Sequence, residues 1–326
     1  MGATGAVGTE FLRVLERRNF PLASLKLLAS ARSVGKKLTF RGEQLPVEEL
    51  TDKSFGGVDL VLGSAGGSTA KKFNPIAVAA GAVVVCNTSA FRMDPAVPLV
   101  VPEVNPEDIK WHKGIIANPN CSTIIMNVPV WPLHKVNPIK RIVVSTYQAV
   151  SGAGAWGLYE LAEQMKAWAS DKPIQKQKFP HQIVNNLFSH NSAIGADGYN
   201  EEEAKMVNET RKIFHAPDIR VTATCVRVPI PRAHSEAINI EFSRPITEQD
   251  VRDVLAKAPG VKLVDDRAAN YFPMPLEASD QGDILVGRIR RDVSIPDGSG
   301  IAMFVAGDQI LKGAALNAVQ IAEMLL

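Results

Sequence analysis

Only three cysteines, Cys86, Cys121 and Cys225, stand among the 326 residues. So low and odd a count, without metal-ligand spacing, argues against a disulfide framework and against a zinc site, and no metal is expected. It fits a reducing, cytoplasmic setting and leaves a thiol free for chemistry. An excess of one charge is also lacking. The 36 basic and 34 acidic residues leave a net charge of +2, so no strong field draws nucleic acid or an anionic membrane. No apolar run approaches the roughly 18 residues that a membrane helix needs. The N-terminus opens directly into a glycine-rich loop, with no signal peptide to read. Internal repeats and low-complexity stretches are missing too. What remains is ordinary globular material, 46% hydrophobic and 21% charged, enough for two buried cores.

The first third alternates helix and strand. Residues 9–18 predict a short helix with Phe11, Leu12, Val14 and Leu15 on its apolar face. Residues 25–29 read as an apolar strand, and 58–64 and 82–87 are continuous apolar runs of the kind found in strands covered on both faces, with a helix at 73–80 between them. This alternation predicts an α/β, Rossmann-like, doubly wound parallel sheet. The middle differs. Residues 141–148, 221–228 and 237–242 are longer strands rich in Val, Ile and Thr, with helices near 156–168 and 201–214. They predict a second, α+β domain on a partly antiparallel sheet. The tail at 310–326 reads as an amphipathic helix with Leu311, Ala315, Ala318, Ala322 and Leu325 on one face. It is expected to return to the first domain, giving residues 1–120 plus 310–326 for cofactor binding and 121–309 for catalysis and dimerisation.

The glycines at positions 2, 5 and 8 precede the first helix. Glycine lets the backbone turn tightly and approach a pyrophosphate, and a helix N-terminus offers free N–H groups. An ordinary turn has the same glycines, and the helix and strand that follow favour the nucleotide reading. A dinucleotide fingerprint normally follows a strand, yet only Met1 precedes this one. The expectation is that the first strand is missing and that the natural chain starts about 8–10 residues upstream. After the strand at 25–29 no carboxylate awaits a ribose 2′-hydroxyl; Ser30, Arg32 and Ser33 stand there, with Lys36 and Lys37 close by. Hydroxyls and a guanidinium suit a 2′-phosphate, so NADP is the expected cofactor over NAD.

Cys121 sits in Asn118-Pro119-Asn120-Cys121-Ser122-Thr123, where a helix should begin. A thiol in a first helical turn feels the positive end of the helix dipole, which favours the thiolate. On this window alone a buried, inert cysteine, the usual fate of a lone thiol, is the favoured reading. Cys86 and Cys225 lie within apolar strand patterns and suit that inert role better. Among six histidines, His234 is the best placed as a base, because the short connection through Pro229 to Ala233 can bring it near Arg227. A strand-end histidine bonded to backbone remains the alternative.

At this point the motifs converge. The chain resembles the aspartate-semialdehyde dehydrogenases from end to end: GATGAVG, ASARSVGK, SAGG, NTSAFRMD, VPEVN, NPNCST, STYQAVSGAG, NLFSHN, GYNEEEAKM, CVRVPIPRAHSE, GRIRRD and GDQILKGAALNAVQIAEML follow one another in the family's order. The missing first strand is the one departure. The resemblance implies NADP- and phosphate-dependent interconversion of L-aspartate 4-semialdehyde and L-4-aspartyl phosphate, in lysine, diaminopimelate, threonine and methionine biosynthesis. It implies Cys121 as the nucleophile that forms a thioester, His234 as general acid/base, and Gln148 orienting the substrate. Arg227 would bind the substrate carboxylate, Glu202 its ammonium group, and Arg92 and Lys205 the phosphate. Thr4, Gly5, Ala6, Val7, Ser30, Arg32 and Ser33 would hold NADP, with Ser151, Gly152 and Gln309 nearer the nicotinamide. The implied partners are a small-molecule substrate and inorganic phosphate, and the implied assembly is a homodimer or homotetramer.

Overall fold

In a computed structural model describing residues 1–326, the chain divides into two compact units. One comprises Met1–Asn120 with Ala314–Leu326, the other Cys121–Gly313.

The first unit opens with α1 (Ala6–Arg17), whose apolar stripe buries Phe11, Leu12, Val14 and Leu15. Two three-stranded sheets follow. In the first, β1 (Leu27–Ala29) runs parallel to β3 (Glu43–Glu49), which turns back on β2 (Lys37–Phe40) as an antiparallel hairpin. In the second, β4 (Leu60–Gly63), β5 (Val83–Cys86) and β6 (Ile115–Ala117) are all parallel. The intervening helix α2 (Gly67–Ala79) packs on β5 and buries Phe73 and Ala77 into a core shared with Phe55, Val61 and Val84. Residues 1–3 bridge the two sheets. Gly2 and Ala3 donate their N–H groups to the Leu28 carbonyl, and the Met1 ammonium donates to the Leu62 carbonyl at 2.8 Å.

The second unit is built on a seven-stranded mixed sheet. Its strands are β7 (Ile139–Gln148), β8 (Phe188–Ser189), β9 (Arg220–Arg227), β10 (His234–Phe242), β11 (Val261–Leu263), β12 (Ile284–Arg291) and β13 (Gly300–Gly307), in the spatial order β11-β12-β13-β10-β7-β9-β8. The β7–β9 and β11–β12 pairs are parallel and the others antiparallel. The long helix α3 (Cys121–Val136) packs on β7, β10, β12 and β13. Its Ile124, Ile125, Met126, Val128, Val130 and Leu133 are all buried. Also in this unit are α4 (Ala155–Ala169), α5 (Glu201–Ile213), α6 (Glu248–Leu255) and the short α7 (Pro275–Ala278). For α5 the local cause is clear. Asn200 and Glu203 form a capping box, acidic residues fill the first turn, and Arg211 and Lys212 sit in the last.

The chain then returns to the first unit. The tail departs from the expected single amphipathic helix: a π-helical stretch over Leu311–Leu316 precedes α8 (Asn317–Glu323). Ile310, Lys312, Gly313, Ala314, Asn317, Val319 and Ile321 are buried along with Leu311, Ala315, Ala318 and Ala322, so the segment is enclosed on nearly all sides. Its start is fixed by Asp308, whose Oδ1 accepts the N–H groups of Ile310 and Leu311 at 3.0 and 2.9 Å. Within the first unit, Arg18 grips Glu323 of α8 with two hydrogen bonds of 2.6 and 2.7 Å. No helix is long and apolar enough to cross a membrane.

Candidate active site

In the second unit, strand register assembles a row of polar side chains. Gln148 at the end of β7 stands opposite Arg227 at the end of β9. His234 starts β10 as β7 ends, because Ser235 pairs with Tyr147. All three side chains are buried. Cys121 opens α3 and is partly exposed, whereas Cys86 and Cys225 are fully buried. Next to Cys121, Ser122 accepts the Gln148 amide Nε2–H at 2.5 Å, and the same nitrogen donates to Glu202 Oε1 at 3.2 Å. Gly313 lies against the cysteine so closely that a Cβ there would sit 2.9 Å from Cys121 Cβ.

The capped start of α5 sets Glu202 and Lys205. Glu203 of the capping box accepts the Cys225 N–H at 3.0 Å, which pins the helix to β9. Lys205 then donates to Glu202 Oε2 at 3.1 Å. A carboxylate and an ammonium thus stand together beside Gln148.

Arg227 is held from two sides. One Nη donates to the Ala149 carbonyl and the other to His190 Nε2, each at 2.7 Å. Its Nε is buried and has no protein partner. Burial lowers the guanidinium pKa, while Glu202 and Cys121 act in the opposite sense electrostatically, which places both within its field. His234 Nδ1 accepts the Ala149 N–H at 3.0 Å. That bond assigns the ring proton to Nε2. Burial, reinforced by the charge of Arg227, pushes the imidazole down to about 3, so it is neutral. Gly152 approaches both groups: a Cβ there would lie 3.1 Å from Arg227 Nη1 and 3.4 Å from His234 Nε2. Gln309 donates to Ser151 Oγ and accepts the Ala233 N–H at 2.8 Å. Ala233 itself adopts φ +68°, a left-handed conformation costly for a residue with a Cβ. It turns the chain into β10 directly before His234.

His190 was not singled out from the sequence. Burial pushes its imidazole down to about 4, and as a neutral ring it can accept from Arg227. The signal was the NLFSHN motif, but the pairing that brings it in, β8 on β9, spans only Phe188 and Ser189. Ser122 was likewise unassigned.

The remaining candidates lie in the first unit. Gly2 (φ +79°) needs glycine, since a Cβ would meet the Ser64 carbonyl oxygen at 2.6 Å; at Gly8 it would meet the Gly2 oxygen at 2.1 Å. Gly5 is the N-cap of α1 and provides no side-chain cap, so the first N–H groups of the helix, from Ala6 and Val7, can meet an anion. Thr4 Oγ1 and Ser33 Oγ are 3.2 Å apart, and Ser30 and Arg32 are exposed beside them. Arg92 is buried and donates to the Asn118 and Asn87 carbonyls at 2.9 and 3.0 Å. Asn118 also donates to Asn87 Oδ1 at 2.5 Å and accepts from Asn317 at 2.7 Å. This network anchors the residues that lead to Cys121.

Comparison with known proteins accords with this geometry. Residues 1–112 match the family described as semialdehyde dehydrogenase, NAD binding domain, and residues 130–312 match semialdehyde dehydrogenase, dimerisation domain. The aspartate-semialdehyde dehydrogenase of Synechocystis sp. is 59% identical over all of this chain and 96% of its own length. That of Aquifex aeolicus is 53% identical, again over 100% and 96%. Among solved structures, aspartate semialdehyde dehydrogenase II from Vibrio cholerae superposes with a TM-score of 0.96 at 46% identity, covering 99% of this chain and 96% of that one. The chain belongs to the aspartate-semialdehyde dehydrogenase family.

Proposed function

We propose that the chain interconverts L-aspartate 4-semialdehyde and L-4-aspartyl phosphate, with NADP as cofactor and inorganic phosphate as co-substrate, through a thioester on Cys121. The observation that carries this reading is the placement of Cys121: it opens α3 within the electrostatic field of Arg227, and Arg227 and His234 flank Gly152 together. One solved Vibrio cholerae relative is complexed with ASA, and a Candida albicans relative contains NADP. The match to a dimerisation domain supports a homodimer or homotetramer. The activity fits cytoplasmic lysine, threonine and methionine biosynthesis.

The first unit fits a dinucleotide. Its glycine turn excludes side chains at Gly2 and Gly8, and the uncapped N-terminus of α1 offers N–H donors to a pyrophosphate. Ser30, Arg32 and Ser33 suit a 2′-phosphate, with Thr4 beside Ser33. Ser151, Gly152 and Gln309 are assigned to the nicotinamide end. When bound, NADPH supplies hydride to the thioester carbon.

The protein's own groups do the rest. The Cys121 thiolate attacks the acyl phosphate carbon, the bond to the phosphate oxygen breaks, and phosphate leaves with the electron pair. After reduction, the thiohemiacetal collapses: its C–S bond breaks, the aldehyde departs and the thiolate returns. Splitting one hard step into two is the gain from covalent catalysis. His234 is the acid/base group of this step, and with its proton on Nε2 it donates to the oxygen that becomes negative. Arg227 takes the substrate carboxylate, the planar anion that a guanidinium pairs with well. Glu202 takes the substrate ammonium group, Gln148 orients the reacting carbonyl, and Lys205 and Arg92 neutralise the phosphate.

The test is a phosphate-dependent assay of NADP reduction with L-aspartate 4-semialdehyde. Cys121→Ala should abolish turnover while NADPH still binds. Turnover near that of the unaltered enzyme would remove the thioester.

A further inference from the structure

Directly behind the proposed catalytic row lies a second row of polar side chains with no assigned role. Two residues back along each strand, Thr146 of β7 pairs with Cys225 of β9 on one side and Glu236 of β10 on the other. Residues two apart on a strand share a face, so this row lies on the same side of the sheet as Gln148, Arg227 and His234. The covering elements agree: Cys225 Sγ lies 3.7 Å from Met206 Sδ of α5, and α3 packs on β7 and β10.

All three residues are 0% exposed. Both carboxyl oxygens of Glu236 have no protein partner, while the Thr146 hydroxyl bonds to the Cys225 thiol. Gln148 has an orphan of its own, Oε1, although its nitrogen serves Ser122 and Glu202. On α3, fully buried Asn127 accepts from Thr210 at 3.2 Å while its Nδ2 is unpartnered. Buried polar groups without partners are rare in native proteins, and when clustered they are normally joined by ordered water. No cationic side chain offsets the burial of Glu236. An unpaired buried carboxylate is far costlier than its neutral form, and burial holds the Glu236 carboxyl well above the usual carboxylate range.

We propose that Glu236 is a positioning residue that works as a neutral carboxylic acid, linked through buried water to Thr146 and to Oε1 of Gln148. Gln148 is diagonal to Glu236 across β7 and β10, a separation that one bridging water can span. The acid O–H then satisfies the oxygen side of the Gln148 amide. That keeps the nitrogen side turned to Ser122 and Glu202, beside the cysteine. An amide free to flip would present the wrong atom to Ser122, Glu202 and the substrate alike. The proposal rests on the role given above to Gln148.

Two variants and one spectrum test it. Infrared difference spectroscopy of the unaltered enzyme against Glu236→Gln should show the carbonyl stretch of a protonated acid, lost in the variant; no such band overturns the proposal. Glu236→Gln keeps a neutral donor and should retain kcat within about threefold. Glu236→Leu removes the donor and should lower kcat about 10- to 100-fold with KM little changed, as expected when a reacting group is misplaced. Equal losses in both variants, or failure of Glu236→Gln to fold, also overturn it. Should Glu236→Leu not fold, the band and the glutamine variant still decide. An unaltered enzyme inactive on aspartate semialdehyde would defeat the proposed function instead, while the infrared band would still report the state of Glu236.

Discussion

The backbone N–H of Ala149 donates to Nδ1 of His234 at 3.0 Å, so the imidazole presents N–H, not a lone pair, at Nε2. The same residue's carbonyl oxygen accepts from Arg227 at 2.7 Å. One residue directly after β7 thus holds, through its N–H and its C=O, the two groups proposed to act on the substrate.

Arg227→Lys tests that arrangement. Guanidinium reaches Ala149 and His190 at once. Ammonium is a point donor and cannot reproduce the fork. Catalytic efficiency should fall by about 100-fold or more, at the upper range for charge-assisted hydrogen bonds. The measurement is kcat/KM for the semialdehyde, and an unchanged value removes Arg227 from carboxylate binding.

Much of the fold was legible because the relevant patterns are local. The apolar stripe of α1 and the continuous runs at β4 and β5 can be read residue by residue. Other elements depend on partners remote in sequence. In β12 the register shifts between Gly287 and Arg290, with Arg288 at φ +52°, which breaks the strand pattern. The run in β13 is buried on both faces and shows no alternation. The tail differs from its sequence pattern for a related reason: the apolar stripe is local, but the π-helical start and full enclosure bury Lys312 and Asn317 too. At the candidate site, Cys121, Arg227 and His234 stood out as residue types in suggestive places. The contacts of Gln148 with Ser122 and of Arg227 with His190 arise from register and a two-residue strand, which no local pattern encodes.

Arg32→Ala tests the cofactor. Arg32 is exposed beside Ser33, which contacts Thr4. A charge-assisted bond to a 2′-phosphate contributes about 1.5–3 kcal/mol, or about 10- to 100-fold in affinity. The Kd for NADPH, followed by fluorescence titration, should rise by that factor while the Kd for NADH stays put. Equal changes for both would refute 2′-phosphate recognition.

Buried His234 and half-buried His190 make the fold sensitive to acid. His234 is pushed down to about 3 by burial and then by Arg227, and His190 to about 4, chiefly by burial. Unfolded, each titrates near its ordinary value of about 6.5. Between these values the unfolded chain binds more protons, so stability falls as pH drops below about 6.5; the loss levels off below about 4 for His190 and below about 3 for His234. Each histidine contributes up to about 1.4 kcal/mol per pH unit in that window and nothing above it. Urea midpoints at pH 7.5 and pH 5 should differ accordingly, and His190→Asn should reduce the difference. An identical slope in the variant would mean that His190 is not held neutral.

Gly152→Ala separates stability from activity. Gly152 does not have a positive φ, so its backbone accepts alanine, and the lost chain entropy of glycine makes the folded state no less stable, by up to about 1 kcal/mol in its favour. The new methyl, however, would lie 3.1 Å from Arg227 Nη1 and 3.4 Å from His234 Nε2. Arg227 must give by only a few tenths of an ångström, which its 2.7 Å bonds to Ala149 and His190 can absorb while the guanidinium leaves its position. The expected result is an unchanged or raised melting temperature with kcat/KM lowered about 10- to 100-fold, the cost of a small misplacement at a reacting centre. Gly154→Ala should behave in the opposite way. Its surroundings are open, but its φ is +83°, so alanine costs about 1–2 kcal/mol of stability. If Gly152→Ala instead loses stability and keeps its activity, the methyl has displaced neither Arg227 nor His234, and the close packing of glycine over those two groups plays no part in the reaction.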